Sequence, residues 1–206
     1  MDSDTWSGAT DEVVDSSGNG RDGVALNGAQ TDDATPAIGG DPGTCGYGTF
    51  DGSDDYVSVD SLSDTLNGTA TLAFWVRTTQ TGNDTGWQAP GIAGVEQQGG
   101  ADDIFWGWID ASGRIGISAG NDYDTEQKSS TAINDGTWHH VALTRDAASG
   151  DTKVFVDGVL EREGSGPDGE IGTAFSSIGR IEDTAGSPEY FAGDLDEVPD
   201  LRRCSR

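Results

Sequence analysis

Residues 138–161 read WHHVALTRDAASGDTKVFVDGVLE, and they constrain the fold more tightly than any other stretch. Trp138, His140, Ala142 and Thr144 alternate with His139, Val141, Leu143 and Arg145. Successive strand side chains point to opposite faces, so this segment reads as a strand with two differently composed sides. Residues 147–151 are small and polar and include Gly150, which suits a chain reversal. Val154, Phe155 and Val156 then lead into Asp157-Gly158. An Asp-Gly pair at the end of an apolar run favours a two-residue hairpin turn, because both central residues need positive φ.

The same grammar recurs along the chain. Residues 11–27 read as a short strand, a Gly/Asn/Ser loop and a second short strand, followed by a polar loop over residues 30–44. Residues 46–60 read as strand, tight Asp51-Gly52 turn, strand. In residues 72–78, Leu72, Phe74 and Val76 share one face while Ala73, Trp75 and Arg77 share the other. A long polar loop over residues 80–89 carries Trp87. Residues 104–109 and 114–118 form a further hairpin, and residues 176–181 and 190–198 read as closing strands. No window has helical periodicity and no solenoid-length repeat is present. The 32 glycines fit many tight turns, and 206 residues suit one domain better than two. These features predict an all-β, two-sheet antiparallel β-sandwich over residues 1–198.

Net charge is −26, from 37 acidic and 11 basic residues. Phosphate recognition needs a cationic surface, so nucleic acid and anionic membranes are excluded as partners. No stretch has the length and apolarity of a membrane span, which predicts no direct membrane insertion. Most of the acids read as solvated faces suited to salty water; the alternative is cation sites among the carboxylates. Met1 is followed at once by Asp2, Ser3 and Asp4, which is no signal peptide. Either the protein stays inside the cell or the sequence is a piece of a longer exported polypeptide; the expectation is the piece.

Five stretches occur in one order: DSSGNGRDG, FDGSDDYV, LAFWVRT, the 138–161 hairpin and FAGDLDEV. In that order they resemble the laminin G-like branch of the concanavalin A-like jellyroll superfamily. Finer wording, such as GVEQQGGADDIFWGWIDASGRIGI, is similar to the LamG-like domain of MshQ-type proteins of mannose-sensitive haemagglutinin pilus systems. The resemblance implies a concanavalin A-like jellyroll that binds a glycan or a surface protein. The rivals are a ligand-free structural spacer in a pilus or adhesin and a degenerate glycoside hydrolase.

The family would continue past Val198 as a strand of the type EVRIYDAVL, whereas this chain reads EVPDLRRCSR. Pro199 cannot donate to a ladder, and Arg202, Arg203 and Arg206 crowd the end of an acidic protein. Loss of one base from a coding sequence for this ending restores the family's strand. Residues 199–206 are therefore read as an aberrant tail produced by a frameshift; the alternative is a genuine divergent tail. Cys45 and Cys204 would suggest a disulfide in an exported chain, but Cys204 then falls in that tail.

Candidate sites follow. Asp15 to Gly20 places oxygen ligands at alternate positions with glycine sixth, like the first half of a calcium loop, but Leu26 stands where the closing Glu belongs. The superfamily resemblance supplies a distant carboxylate, Asp196, so Asp15, Asn19 and Asp196 are expected to hold a structural calcium. The alternative is an Asx turn. Asp51, Asp54 and Asp55 form a second acidic cluster, read as a solvated turn. Trp106, Trp108 and Trp87 are the ligand-binding candidates, with Glu96, Asn121 and Asp122 to orient sugar hydroxyls. The alternative is that these rings fill the core. Trp75 and Trp138 are assigned to the core or near-core, without a ligand role. His139 and His140 are adjacent and point apart, so they cannot chelate one ion. Residues 116–120 match G-x-S-x-G without the following helix that a nucleophile elbow needs. The E-x-D-x-x-E motif of laminarinase-like relatives is absent from the sequence; Asp194 and Asp196 share a face, but a retaining pair needs an unpaired acid beside a nucleophile and Asp196 is the calcium candidate. No catalytic residue is expected.

Overall fold

Alternation decides which side of each strand meets the core, and the computed structural model follows it over residues 6–15, 20–32, 46–120 and 126–198, which it describes. The early strands are β1 (Gly23–Leu26), β2 (Gln30–Asp32), β3 (Tyr47–Asp51), β4 (Tyr56–Val59) and β5 (Ala70–Arg77). Next come β6 (Ala93–Glu96), β7 (Ile104–Ile109), β8 (Arg114–Ala119) and β9 (Gln127–Ala132). The hairpin region supplies β10 (His139–Arg145), β11 (Asp151–Val156) and β12 (Val159–Ser165). The chain closes with β13 (Ser177–Ile178), β14 (Arg180–Asp183), β15 (Glu189–Tyr190) and β16 (Ala192–Asp196).

Two sheets result. One has seven strands in the order β12-β11-β10-β5-β16-β3-β2. The other has nine strands, with β1-β4-β13-β6-β7-β8-β9 as its spine and β14 and β15 attached at β6. β14 runs parallel to β6, and the other strand pairings are antiparallel. The predicted two-layer, all-β architecture is present. Asp157 and Gly158 have φ of 50° and 78°, as a two-residue hairpin turn demands.

The inner faces meet in one core. Leu72, Phe74 and Val76 of β5, Val141 and Leu143 of β10, and Val154 and Val156 of β11 are buried there. Opposite them lie Ile92, just before β6, and, from the nine-stranded sheet, Val95, Ile104, Trp106, Ile109, Ile115 and Ile117. Each such side chain taken out of water contributes ~1.5–3 kcal/mol. At one edge the two layers are clasped by side chains: Glu161 of β12 accepts hydrogen bonds from the Ser130 and Thr131 N–H groups at 2.7 and 2.8 Å, and Arg162 donates to Gln127 at 2.9 Å.

Arg145 ends β10 on the inner side and is buried, yet among the described residues no carboxylate forms an ion pair with it. Its guanidinium donates instead to the backbone carbonyls of Asn67, Gly68, Pro167 and Gly169, at 2.8–3.3 Å. One side chain thereby ties two loops to the end of the sandwich.

Three local features depart from the sequence expectation. β3 and β4 flank the Asp51-Gly52 turn but belong to different sheets, so residues 52–55 are a crossover. The single closing strand expected over 176–181 is split into β13 and β14 at Gly179. A one-turn helix, α1 (Ser63–Leu66), and a 3-10 turn at Gly86–Gln88 occupy segments that carry no helical periodicity.

The largest departure is in β7. Strand alternation predicts Trp106 and Trp108 on one face. The register of β7 on β8 shifts between them, from Trp106 opposite Ile117 to Trp108 opposite Gly116, and Gly107 has φ of 76°. This is a β-bulge: the extra residue flips the alternation. Trp106 consequently enters the inter-sheet core, while Trp108 turns to the outside with Phe105, Ala89 and Ile181. The indole of Trp108 lies across Gly116, where a Cβ would come within 2.9 Å of Nε1. Lys128 covers its ring at 5.4 Å.

A side chain at position 107 would combine left-handed backbone strain with contact at 2.5 Å from Ile92 Cγ1. Gly107→Ala is therefore expected to cost about 2–4 kcal/mol in urea denaturation. An unchanged midpoint would show that the bulge is not required.

Candidate functional site

The outer face of the seven-stranded sheet carries the residues that alternation leaves outside. Along β5 these are Thr71, Ala73, Trp75 and Arg77, and along β10 His140, Ala142 and Thr144. Register sets them in rows across the sheet. His140 stands opposite Trp75, which stands opposite Asp196; Arg77 stands opposite Asp194, which stands opposite Thr49.

Arg77 organises one end of this face. Its guanidinium lies 5.0 Å from the centre of the Tyr47 ring and 4.9 Å from that of Trp138. Its Nε donates to Asp194 at 2.7 Å and its Nη2 to the Tyr47 hydroxyl at 3.0 Å. Burial alone would lower the Arg77 pKa; bonding to Asp194 and Tyr47 outweighs this and raises it. Tyr47 and Trp138 pack edge-on at 5.3 Å, and Trp75 packs edge-on against His140 at 5.2 Å. Trp75, Trp138 and His140 are half-buried, so the face presents rings and polar edges together. Trp75 and Trp138 thus take the near-core option, on the outer side of the sheet and not between the two layers. The signal was present in the sequence, since both share the polar side of their strands.

The expected binding residues are dispersed. Trp106 and Trp108 are each 0% exposed, so neither ring can stack on a sugar. The bulge is the reason: each side of β7 claims one ring for packing. Trp87 is 40% exposed, on the 3-10 turn whose Gly86 N–H is bonded by the Glu126 carboxylate. Glu96 ends β6 in a separate setting, beside Asp183, Asp103 and Glu189. Asn121 and Asp122 lie outside the described residues, as do Asn19, Cys45, Cys204 and residues 199–206.

Of the expected metal ligands, Asp15 and Asp196 are buried carboxylates. Asp15 Oδ2 accepts the Arg21 N–H at 3.0 Å, while the Asp15 N–H donates to Asp22 Oδ1 at 2.7 Å. Asp196 Oδ1 accepts the Glu197 N–H at 2.8 Å. The second acidic group is brought together: ligand oxygens of Asp51, Asp54 and Asp55 lie within 4.8 Å of one another. Its carboxylates accept backbone N–H groups of the crossover, Asp51 Oδ1 from Ser53 and Asp55 Oδ2 from Asp51, as a turn requires. His139 bonds Asp157 at 2.9 Å while His140 turns to Trp75, so the two rings diverge as expected. Ser118 of the G-x-S-x-G match is buried inside β8 rather than raised on an elbow. Asp194 and Asp196 do share a face, with Asp194 engaged by Arg77 and by the Thr49 hydroxyl.

Four acids crowd the end of β6. Burial and the neighbouring Asp183 push Glu96 up to about 7. Burial, with Asp183 and Glu96 adding charge, pushes Glu189 up to about 7 as well. Burial alone would raise Asp183, but the N–H groups of Ala185 and Gly186 and the Glu96 carboxyl outweigh it, so Asp183 falls and the shared proton belongs to Glu96. Burial likewise raises Asp103.

Raised carboxyl pKa values mean that the folded chain holds protons the unfolded chain has released. The associated stability is complete below the ordinary Glu range and is lost as pH rises through about 7. The midpoint of thermal unfolding is expected to fall between pH 5 and pH 8, and the Glu96→Gln, Glu189→Gln double variant is expected to flatten that slope. An identical slope in the variant would reject the assignment.

The family description "Concanavalin A-like lectin/glucanases superfamily" matches residues 51–199. Among curated proteins, the chain is 28% identical over 152 residues to the Rattus norvegicus protein named "Sushi, von Willebrand factor type A, EGF and pentraxin domain-containing protein 1". That match takes in 69% of this chain and 4% of the relative, so the chain spans a small part of that protein. In fold, it is similar to domain 4 of AbnA, an extracellular arabinanase from Geobacillus stearothermophilus solved with arabinotriose. The TM-score is 0.54 at 17% identity, covering 93% of this chain and 88% of that one. It is also similar to domains LG4-5 of the mouse laminin alpha1 chain, with a TM-score of 0.52 at 15% identity, covering 77% and 43%. The family match extends over most of the sequence and agrees with the two-layer architecture, and the chain belongs to the laminin G-like domains of the concanavalin A-like lectin/glucanases superfamily.

Proposed function

We propose that this domain is a non-catalytic recognition module that binds a glycan or a surface protein. It would act within a larger secreted or cell-surface bacterial polypeptide, in adhesion or a pilus. The observation that carries this reading is the cluster of half-buried Trp75, Arg77, Trp138 and His140 around the buried Tyr47 on the outer face of the seven-stranded sheet. Aromatic rings with a polar edge supply apolar area and hydrogen bonds together, the combination that sugar rings and protein hot spots both use. The arabinanase domain of the same fold was solved with arabinotriose, which makes glycans the first ligands to test. The finer resemblance to MshQ-type sequences supports the pilus setting. The complete burial of Trp106 and Trp108 favours the rival, a ligand-free spacer, because two of the expected binding rings serve packing instead.

A glycan array with the 206-residue chain separates the two. Binding that is lost in Trp75→Ala and Trp138→Ala supports recognition; a flat response to every glycan supports the spacer. Release of sugar by the purified chain would overturn the non-catalytic reading.

A structural calcium is part of the proposal. Hard carboxylate oxygens on buried Asp15 and Asp196 suit it chemically, and Asn19 would add an amide oxygen. An ion that binds only the folded form stabilises it. Saturating calcium is expected to raise the melting temperature by about 5–10 °C, and Asp196→Asn to abolish the rise. No shift with calcium would remove the ion from this reading.

A further inference from the structure

The outer face of the seven-stranded sheet continues beyond its aromatic end into a groove of about 500 Å³. Its walls and floor include Thr69, Thr71, Thr144, Asp146, Asp151 and Lys153. That volume falls in the range of small-molecule sites, roughly 300–1,000 Å³. Register explains the arrangement. Thr144 of β10 stands opposite Thr71 of β5 on one side and opposite Lys153 of β11 on the other. Two hydroxyls and an ammonium therefore form one polar row across three neighbouring strands. Lys153 is held only loosely, 3.9 Å from Glu163.

The next row along the same face is different. Ala73 stands opposite Ala142, Ala142 opposite Phe155, and Phe155 opposite Leu160, which is 43% exposed. Two alanines leave a low floor, and Phe155 and Leu160 border it with apolar surface. Beyond that floor lies the Trp75–His140 row. Along β5, the strip from Thr71 to Arg77 is ~20 Å long at the usual rise of a strand.

We infer that this groove is the polar half of an elongated binding face, and that its ligand is a neutral oligosaccharide. This inference rests on the recognition reading above. A sugar hydroxyl is both donor and acceptor, and the row offers both kinds: Lys153 donates, Asp146 and Asp151 accept, and the threonine hydroxyls do either. The apolar C–H face of a sugar ring matches the alanine floor and Phe155. An anionic ligand meets two carboxylates and a net charge of −26. A purely cationic ligand meets Lys153 at one end of the row. The hydroxyl row and the rings of Trp75 and Trp138 then engage successive residues of one chain.

The test is an array of neutral and acidic oligosaccharides with the full chain, followed by calorimetric titration of the strongest neutral hit. Thr144→Val removes a hydroxyl at nearly constant shape, and Lys153→Ala alters an exposed side chain, so at least the second keeps the fold. Each variant is expected to weaken neutral-glycan binding by about tenfold, the loss of one hydrogen bond, with an unchanged melting temperature. Wild-type affinity in both variants, with binding lost in Trp75→Ala, would overturn the groove and leave the recognition reading standing. Hits confined to acidic glycans would overturn the ligand class. No binding to any oligosaccharide would overturn the inference together with the glycan reading beneath it.

Discussion

The structure depends on two pleated layers sealing one apolar interior between them. Phe74, Val76, Val141, Leu143 and Val154 of one sheet are packed with Val95, Ile104, Trp106, Ile115 and Ile117 of the other. Hydrophobic residues make up only 33% of the chain, so few are left for the outside. A slip of one residue in any central strand would exchange its buried set for its polar set. Register is thereby held by burial, and the same register decides which side chains appear on the outer face. Trp75, Arg77, Thr71 and Thr144 are where they are because Phe74, Val76, Leu72 and Leu143 must be inside.

Alternation made much of this legible from sequence. The strands at 72–78 and 138–161 and the Asp157-Gly158 turn could be read from residue order. The crossover at 52–55 could not, because a short turn looks the same whether its strands pair or part into separate layers. Nor could the fate of the tryptophans be read by counting. Position 107 was the available clue: glycine inside an otherwise apolar strand marks a bulge or a close approach. Read that way, IFWGWI places its two indoles on opposite sides.

Trp75 and Trp138 take their near-core places by the same alternation. Large rings are usually taken as core, yet here both lie on the side of their strands that faces away from the second sheet. They are half-buried by each other's neighbours, Tyr47, Arg77 and His140, and not by the sandwich interior. The cluster mixes residues from β3, β5, β10 and β16 that are distant in sequence. Only the pairing of strands brings them together. The acids at the end of β6 are a similar case: Glu96 and Asp183 meet because a short parallel pairing interrupts an antiparallel sheet.

Arg145 has a consequence for a chain so unevenly charged. Its partners are four neutral carbonyl oxygens, and its contacts are shielded from solvent. Dissolved ions weaken attraction between exposed opposite charges far more than bonds of this kind. The loops at 67–68 and 167–169 should accordingly stay fastened in brine and in dilute buffer alike, while the Lys153–Glu163 pair on the surface fades. Brackish or marine conditions would relax the repulsion among the carboxylates without loosening this rivet.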